Sequence, residues 1–211
     1  MRSGSQHKTL ILACGALAKE LVHLLGQVSQ EAELKCLPAG YHNHPEKIVP
    51  GLKAILDECA ARYNTILIGY GDCGTGGGLD RLLKSYPNAT RLPGAHCYAF
   101  YSGLNNFDHM MEAELGTFFL TDYLVRHFET LIIKGMGIDR YPNLIDTYFE
   151  HYKKLTYLAQ TEDEDLQVQA QEAAHKLGLS YNYHFTGYGE LEAAITSFGL
   201  EVKNQESMSH V

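Results

Sequence analysis

The chain reads as an α/β protein with a mostly parallel, Rossmann-like sheet flanked by helices and a helical insertion in the middle. Three observations predict this. Short apolar runs recur just before glycine or a polar turn, as in Ile11-Leu12-Ala13 before Cys14-Gly15 and Ile66-Leu67-Ile68 before Gly69. Stretches with apolar residues at helical spacing follow those runs, so strand and helix alternate. No Pro/Gly/Ser linker divides the chain, which favours one domain over 1–203 with a disordered tail at 204–211.

Taken in order, Thr9 to Ala13 is a short apolar strand. The helix after it, from Ala16 to Val28, carries Leu17, Leu21, Leu24 and Leu25 on one face. Glu33 to Leu37 is a second strand, ended by Pro38. Pro50 stands near the start of a helix to Arg62. Thr65 to Tyr70 is the strongest strand. A glycine-rich turn, Gly74 to Gly78, leads to a helix ending near Tyr86, and a fourth strand follows at Ala89 to Leu92. The insertion, 105–153, reads as three helices: Phe107 to Leu115, Phe118 to Ile133 and Asn143 to Lys153. Alternation then returns with a strand at Leu155 to Ala159 and a helix to Leu177, whose start carries the acidic run Glu162 to Asp165. A strand at Ser180 to Phe185 and a helix at Glu190 to Phe198 complete the pattern.

The composition excludes some classes. With 211 residues, a formal charge of −8 and no basic stripe, the chain is a poor partner for nucleic acid or an anionic membrane. Met1 to Lys8 has no apolar core of the signal-peptide kind, and Leu10 to Ala13 is too short to be one, so a cytoplasmic location is expected. Five cysteines, none in a CxxC pair, fit a reducing compartment better than a disulfide scaffold.

Cys36 within a strand and Cys59 on an apolar helix face read as small buried hydrophobes. Cys14, Cys73 and Cys97 differ, because each falls where an apolar run ends, at the ligand-binding edge of a parallel sheet. Cys14 and Cys73 also precede helix starts, where unpaired N–H groups favour a thiolate. Three thiolates together would repel one another unless a cation neutralised them. Zinc accepts such a set and keeps a fourth position open, and an iron–sulfur cluster is the alternative cofactor. Candidates for the fourth ligand are His96 and the pair His42 and His44, in the turn Tyr41-His42-Asn43-His44-Pro45, with His42 taken as the ligand. His96 is expected to point away from the metal of its neighbour Cys97, since adjacent residues in extended chain face opposite ways.

In Gly71-Asp72-Cys73-Gly74-Thr75-Gly76-Gly77-Gly78, the candidate cofactor-binding residues are Gly74, Thr75 and Gly76. Bare amides there could cradle phosphate, although the segment matches neither GxGxxG nor the P-loop. A tight turn close to a ligand is the plainer reading. Glu20 and Glu114 are the candidate general acids or bases.

These residues also carry a family resemblance. Ala13-Cys14-Gly15-Ala16-Leu17 with Glu20, Leu37-Pro38-Ala39 with His42-Asn43, Tyr70-Gly71-Asp72-Cys73-Gly74, His96-Cys97-Tyr98 and Gly116-Thr117-Phe118-Phe119-Leu120-Thr121-Asp122 resemble an uncharacterised prokaryotic family, domain of unknown function 1638. The likeness runs from about Leu10 to Leu191. One departure is Gly40-Tyr41 before His42, where the family pattern has leucine beside that histidine. The family has no settled activity. Its members occur alongside corrinoid-dependent methylamine and betaine methyltransferase systems, which implies one-carbon metabolism and a corrinoid protein as a partner.

Three functions are therefore expected to compete. A zinc-thiolate enzyme would transfer methyl or another small group to or from a small-molecule substrate. A metal-free enzyme resembling two-cysteine racemases would use Cys14 and Cys73. An iron–sulfur or metal-carrying accessory protein would serve a methyltransferase system.

Overall fold

All six residues of strand β1, Thr9–Cys14, are buried, as a strand covered by helices on both faces must be. The computed structural model describes residues 8–27, 32–96, 98–113 and 115–197. The expected disordered tail lies outside the described residues. β1 pairs in parallel with β2, Ala32–Leu37, on one side and β3, Thr65–Gly69, on the other. β4, Ala89–Arg91, joins β3, so the first sheet has the order β2-β1-β3-β4. The register sets Cys14 against Leu37 and Ala13 against Gly69, which brings the strands' carboxyl ends to one edge.

Helices α1, Ala18–Gln27, α2, Ile48–Cys59, and α3, Gly78–Leu83, follow the strands as the alternation predicts. In α2 the buried Leu52, Leu56 and Cys59 recur at helical spacing and face the sheet. Cys59 is buried as expected. Cys36 is exposed instead, because β2 is an edge strand with one side open to solvent.

The middle of the chain is mainly helical, with α4, Ala99–Ser102, and α5, Leu104–Ala113, at its start. The helix expected over Phe118 to Ile133 does not form as one piece. Thr117–Thr121 is instead strand β5, followed by α6, Asp122–Arg126, and a π-helical turn, Glu129–Lys134. A short apolar run reads equally well as strand or buried helix until its partner is known. The partner is β6, Lys154–Ala159, aligned in parallel with Phe118 opposite Leu155. The Thr121 hydroxyl accepts from the Leu124 amide at 3.3 Å, which fixes the helix start after the strand.

After α7, Leu144–Phe149, the pattern returns through α8, Glu164–Lys176, and β7, Ser180–Phe185, giving a second parallel sheet of order β5-β6-β7. Asp163 caps α8 by accepting from the Leu166 amide at 3.1 Å. The last helix, α9, Glu190–Ser197, crosses back: its Leu191 and Ile195 lie in the core of the first sheet with Phe100 and Tyr101. A smaller cluster of Ala99, Phe107, Phe119 and Leu158 links the two units. Among the described residues no helix is long and apolar enough to cross a membrane.

Candidate functional site

Each strand of the first sheet delivers one sulfur or imidazole residue to a single cavity of about 220 Å³. Cys14 comes from the end of β1, His42 from a 3-10 turn after β2, Cys73 from the turn after β3 and His96 from the segment after β4. Tyr70, Tyr98 and Ile48 complete much of the wall. An adjoining notch shares His42 and Tyr98 and is closed by Thr121 and Leu124, so both units meet at the site.

Local sequence explains the convergence. Cys73 has φ of +48°, and it alone among the described non-glycine residues takes a left-handed conformation. Asp72 holds the turn around it. Its carboxylate accepts from the amides of Gly76 at 3.0 Å and Gly77 at 2.7 Å and from the Thr75 hydroxyl at 2.9 Å. Burial raises the Asp72 pKa, but these donors outweigh it and hold the carboxyl below its ordinary value. Of the residues expected to cradle a phosphate, Thr75 and Gly76 thus give their donors to Asp72, and Gly74 packs against Pro45 of the His42 loop.

The His96 segment is brought in by backbone pairing. Asp72 N donates to Gly94 O at 2.9 Å and Cys73 N to Ala95 O at 2.7 Å. The crossing passes directly over Gly71, where a Cβ would stand 3.0 Å from Gly94 O and from His96 N. His96, expected to turn away, therefore lines the cavity, stacked on Tyr98 at 4.9 Å with an interplanar angle of 6°. Gly71 was the available sequence signal, because a glycine before Asp72-Cys73 marks a close backbone approach. Burial lowers the pKa of both imidazoles, and their mutual repulsion adds to the effect at His42. At His96 the nearby Asp72 charge acts in the opposite sense, and burial prevails.

Three predicted ligands, Cys14, His42 and Cys73, thus share one cavity. Cys97 and Glu114 lie outside the described residues. Among the described residues no group of three or more His, Cys, Asp or Glu side chains is gathered closely enough to hold a metal ion. Glu20 does not line the cavity; it is 4% exposed on the inner face of α1, near enough to Asp122 to feel its charge. Burial, then its own amide in the opposite sense, then the Asp122 charge act on it, and the net effect raises its pKa.

Asp122 is a buried hub with no sequence prediction of its own. Its carboxylate accepts from the Tyr157 hydroxyl at 2.7 Å, the Gln160 amide at 2.9 Å and the Thr161 hydroxyl at 2.5 Å. Its amide donates to Gln160 Oε1 at 2.8 Å. It thereby ties the ends of β5 and β6 together.

The family described as "Protein of unknown function (DUF1638)" matches residues 36–195, well over half of the chain. The matched span holds His42, Cys73, His96 and Cys97, while Cys14 and Glu20 precede it. No curated protein and no solved structure matches the chain.

Proposed function

The chain belongs to this family of unknown function, DUF1638, and from its cavity we propose that it is a zinc-thiolate enzyme of small-group transfer, with methyl transfer in one-carbon metabolism as the reaction. Cys14, Cys73 and Cys97 are the proposed thiolate ligands and His42 the fourth, and the described members of this set would have to draw closer together around the ion than they stand here. A single observation carries the reading: four neighbouring strands each send a cysteine or histidine to one cavity. Packing alone rarely concentrates that chemistry at the functional edge of a parallel sheet.

Each residue has a task that its surroundings support. The left-handed backbone at Cys73, held by Asp72, projects a thiol from a turn that would otherwise favour glycine. Desolvation lowers the pKa of His42 and His96, which line the same cavity as Cys14 and Cys73, and so favours the metal-binding form of each. Tyr70 and Tyr98 give the cavity aromatic walls suited to a small organic substrate. Zinc, when bound, would supply a way to hold a substrate sulfur as a nucleophilic thiolate near neutral pH. A corrinoid protein is the proposed partner. Proton exchange between two metal-free thiols fits less well, because Cys14 and Cys73 leave adjacent strands of one sheet rather than facing units.

Elemental analysis of protein purified anaerobically without chelator tests the proposal, on wild type and on Cys73→Ala. About one zinc per chain, lost in the variant, is expected for a site of this type. Iron with acid-labile sulfide would move the assignment to a cluster protein. Absence of metal from both proteins, and no uptake on reconstitution, would overturn the metal reading.

A further inference from the structure

His42 sits in a turn whose own hydrogen bonds are local. Tyr41 N donates to Pro38 O at 3.0 Å, and His44 N to Tyr41 O at 3.0 Å. Such bonds shape the turn, and Ala39 and Tyr41 pack it on the core of its own unit, but none of these contacts reaches the second unit. The next residue makes the distant connection. Asn43 Nδ2 donates to Leu131 O at 2.6 Å, a bond that spans 88 positions and reaches the π-helical turn of the second unit.

The receiving side is shaped for this contact. Gly135 closes the π-helical turn with ordinary right-handed dihedrals, φ −62° and ψ −31°, so its backbone does not require glycine. Space does. A Cβ at 135 would stand 2.7 Å from Asn43 Nδ2 and 2.2 Å from Leu131 O. Glycine leaves the gap into which the amide fits. π-Helical turns are uncommon and cluster at functional places, because the widened turn redirects backbone groups.

We infer that Asn43 is a positioning residue: seated in the gap left by Gly135, it latches the His42 turn to the second unit and so sets where His42 stands in the cavity. The inference rests on the site proposed above, since it assigns His42 a place that matters to that chemistry. It makes the site depend on both units, although the sulfur and imidazole residues described in the cavity all come from the first.

The test compares wild type with Asn43→Asp, Asn43→Gln and Gly135→Ala. Asn43→Asp keeps the shape but replaces the donor with an acceptor facing Leu131 O. Asn43→Gln keeps the donor, and Gly135→Ala fills the gap from the opposite side. Acylation of His42 by diethylpyrocarbonate is followed by peptide mass spectrometry and divided by the rate at His151, whose side chain is 89% exposed. Losing one hydrogen bond that holds the turn closed should raise this ratio about tenfold in Asn43→Asp and in Gly135→Ala. Asn43→Gln, a donor one methylene too long for the gap, should fall between wild type and Asn43→Asp.

His151 is exposed already and reports only reagent and pH, so a general loss of stability is controlled with Leu191→Ala, a core variant away from the turn. A ratio in Asn43→Asp and Gly135→Ala no higher than in wild type, or no higher than in Leu191→Ala, overturns the latch. Cobalt(II) titration of the same proteins separates the two readings. No thiolate-to-cobalt absorption in wild type would refute the metal site while the acylation ratio still decides the latch. A wild-type cobalt spectrum retained in Asn43→Asp but altered in His42→Ala would remove the positioning role.

Discussion

Cys73 offers a test in which the expected order of two variants is reversed. In most places glycine is less stable than alanine, by roughly 0.5–1 kcal/mol, because its unfolded chain has more freedom to lose. At φ of +48° an L-residue carries its Cβ into the following carbonyl, at a cost of about 1–2 kcal/mol. Setting one effect against the other, Cys73→Gly should equal or exceed Cys73→Ala in stability, by about 0–1.5 kcal/mol. Both variants lack the thiol, so the comparison contains no metal or redox contribution. Urea unfolding with chelator and reductant present, followed by circular dichroism, gives the difference directly. Cys73→Ala more stable than Cys73→Gly by roughly 0.5 kcal/mol or more, the ordinary order, would refute the strain argument. It would also take away the inference that a strained backbone is retained here for the sake of the sulfur.

Three further outcomes are expected. Asp122→Ala strands the Tyr157 hydroxyl and Gln160 amide that its carboxylate accepts from, and should cost about 3–5 kcal/mol in urea unfolding; a loss below about 1 kcal/mol would show the hub to be dispensable. The carboxyl of Glu20 has a folded-state pKa above the ordinary 4.5, so it binds a proton more tightly folded than unfolded. Its contribution to stability is present below pH 4.5 and is lost as pH rises through the folded value, so Glu20→Gln should gain on wild type from pH 4 to pH 8. A constant difference between the two proteins at those pH values would contradict it. Leu191→Ala, a substitution at a side chain 0% exposed, should cost about 2–5 kcal/mol by leaving a cavity where α9 packs on the first sheet. Unfolding at the wild-type urea midpoint would mean that α9 does not anchor there.

The first sheet was legible because its strands are short apolar runs that end at glycine or a turn, and because strand and helix alternate. Parallel strands buried on both faces cannot alternate in polarity, so continuous runs such as Leu10 to Ala13 are their natural mark. That same property hid β5. Thr117–Thr121 is five residues of threonine, phenylalanine and leucine, and its strand character rests on pairing with β6, 37 residues onward from Thr117 to Lys154. The edge placement of Cys36 was hidden for a related reason, since strand order is decided by crossovers and not by composition.

The site divides along the same line. Cys14, His42 and Cys73 were readable because each follows a strand of the first sheet, and parallel topology sends all such residues to one edge. What that rule cannot say is how a loop turns once it has left the strand. His96 reaches the cavity because the Gly94–Ala95 backbone pairs with Asp72 and Cys73 over a glycine. Asn43 reaches Leu131 because another glycine leaves room. Both contacts depend on a missing Cβ at a position far along the chain. Gly71 and Gly135 are thus where substitution by alanine should disturb the cavity most while leaving every cysteine and histidine in place.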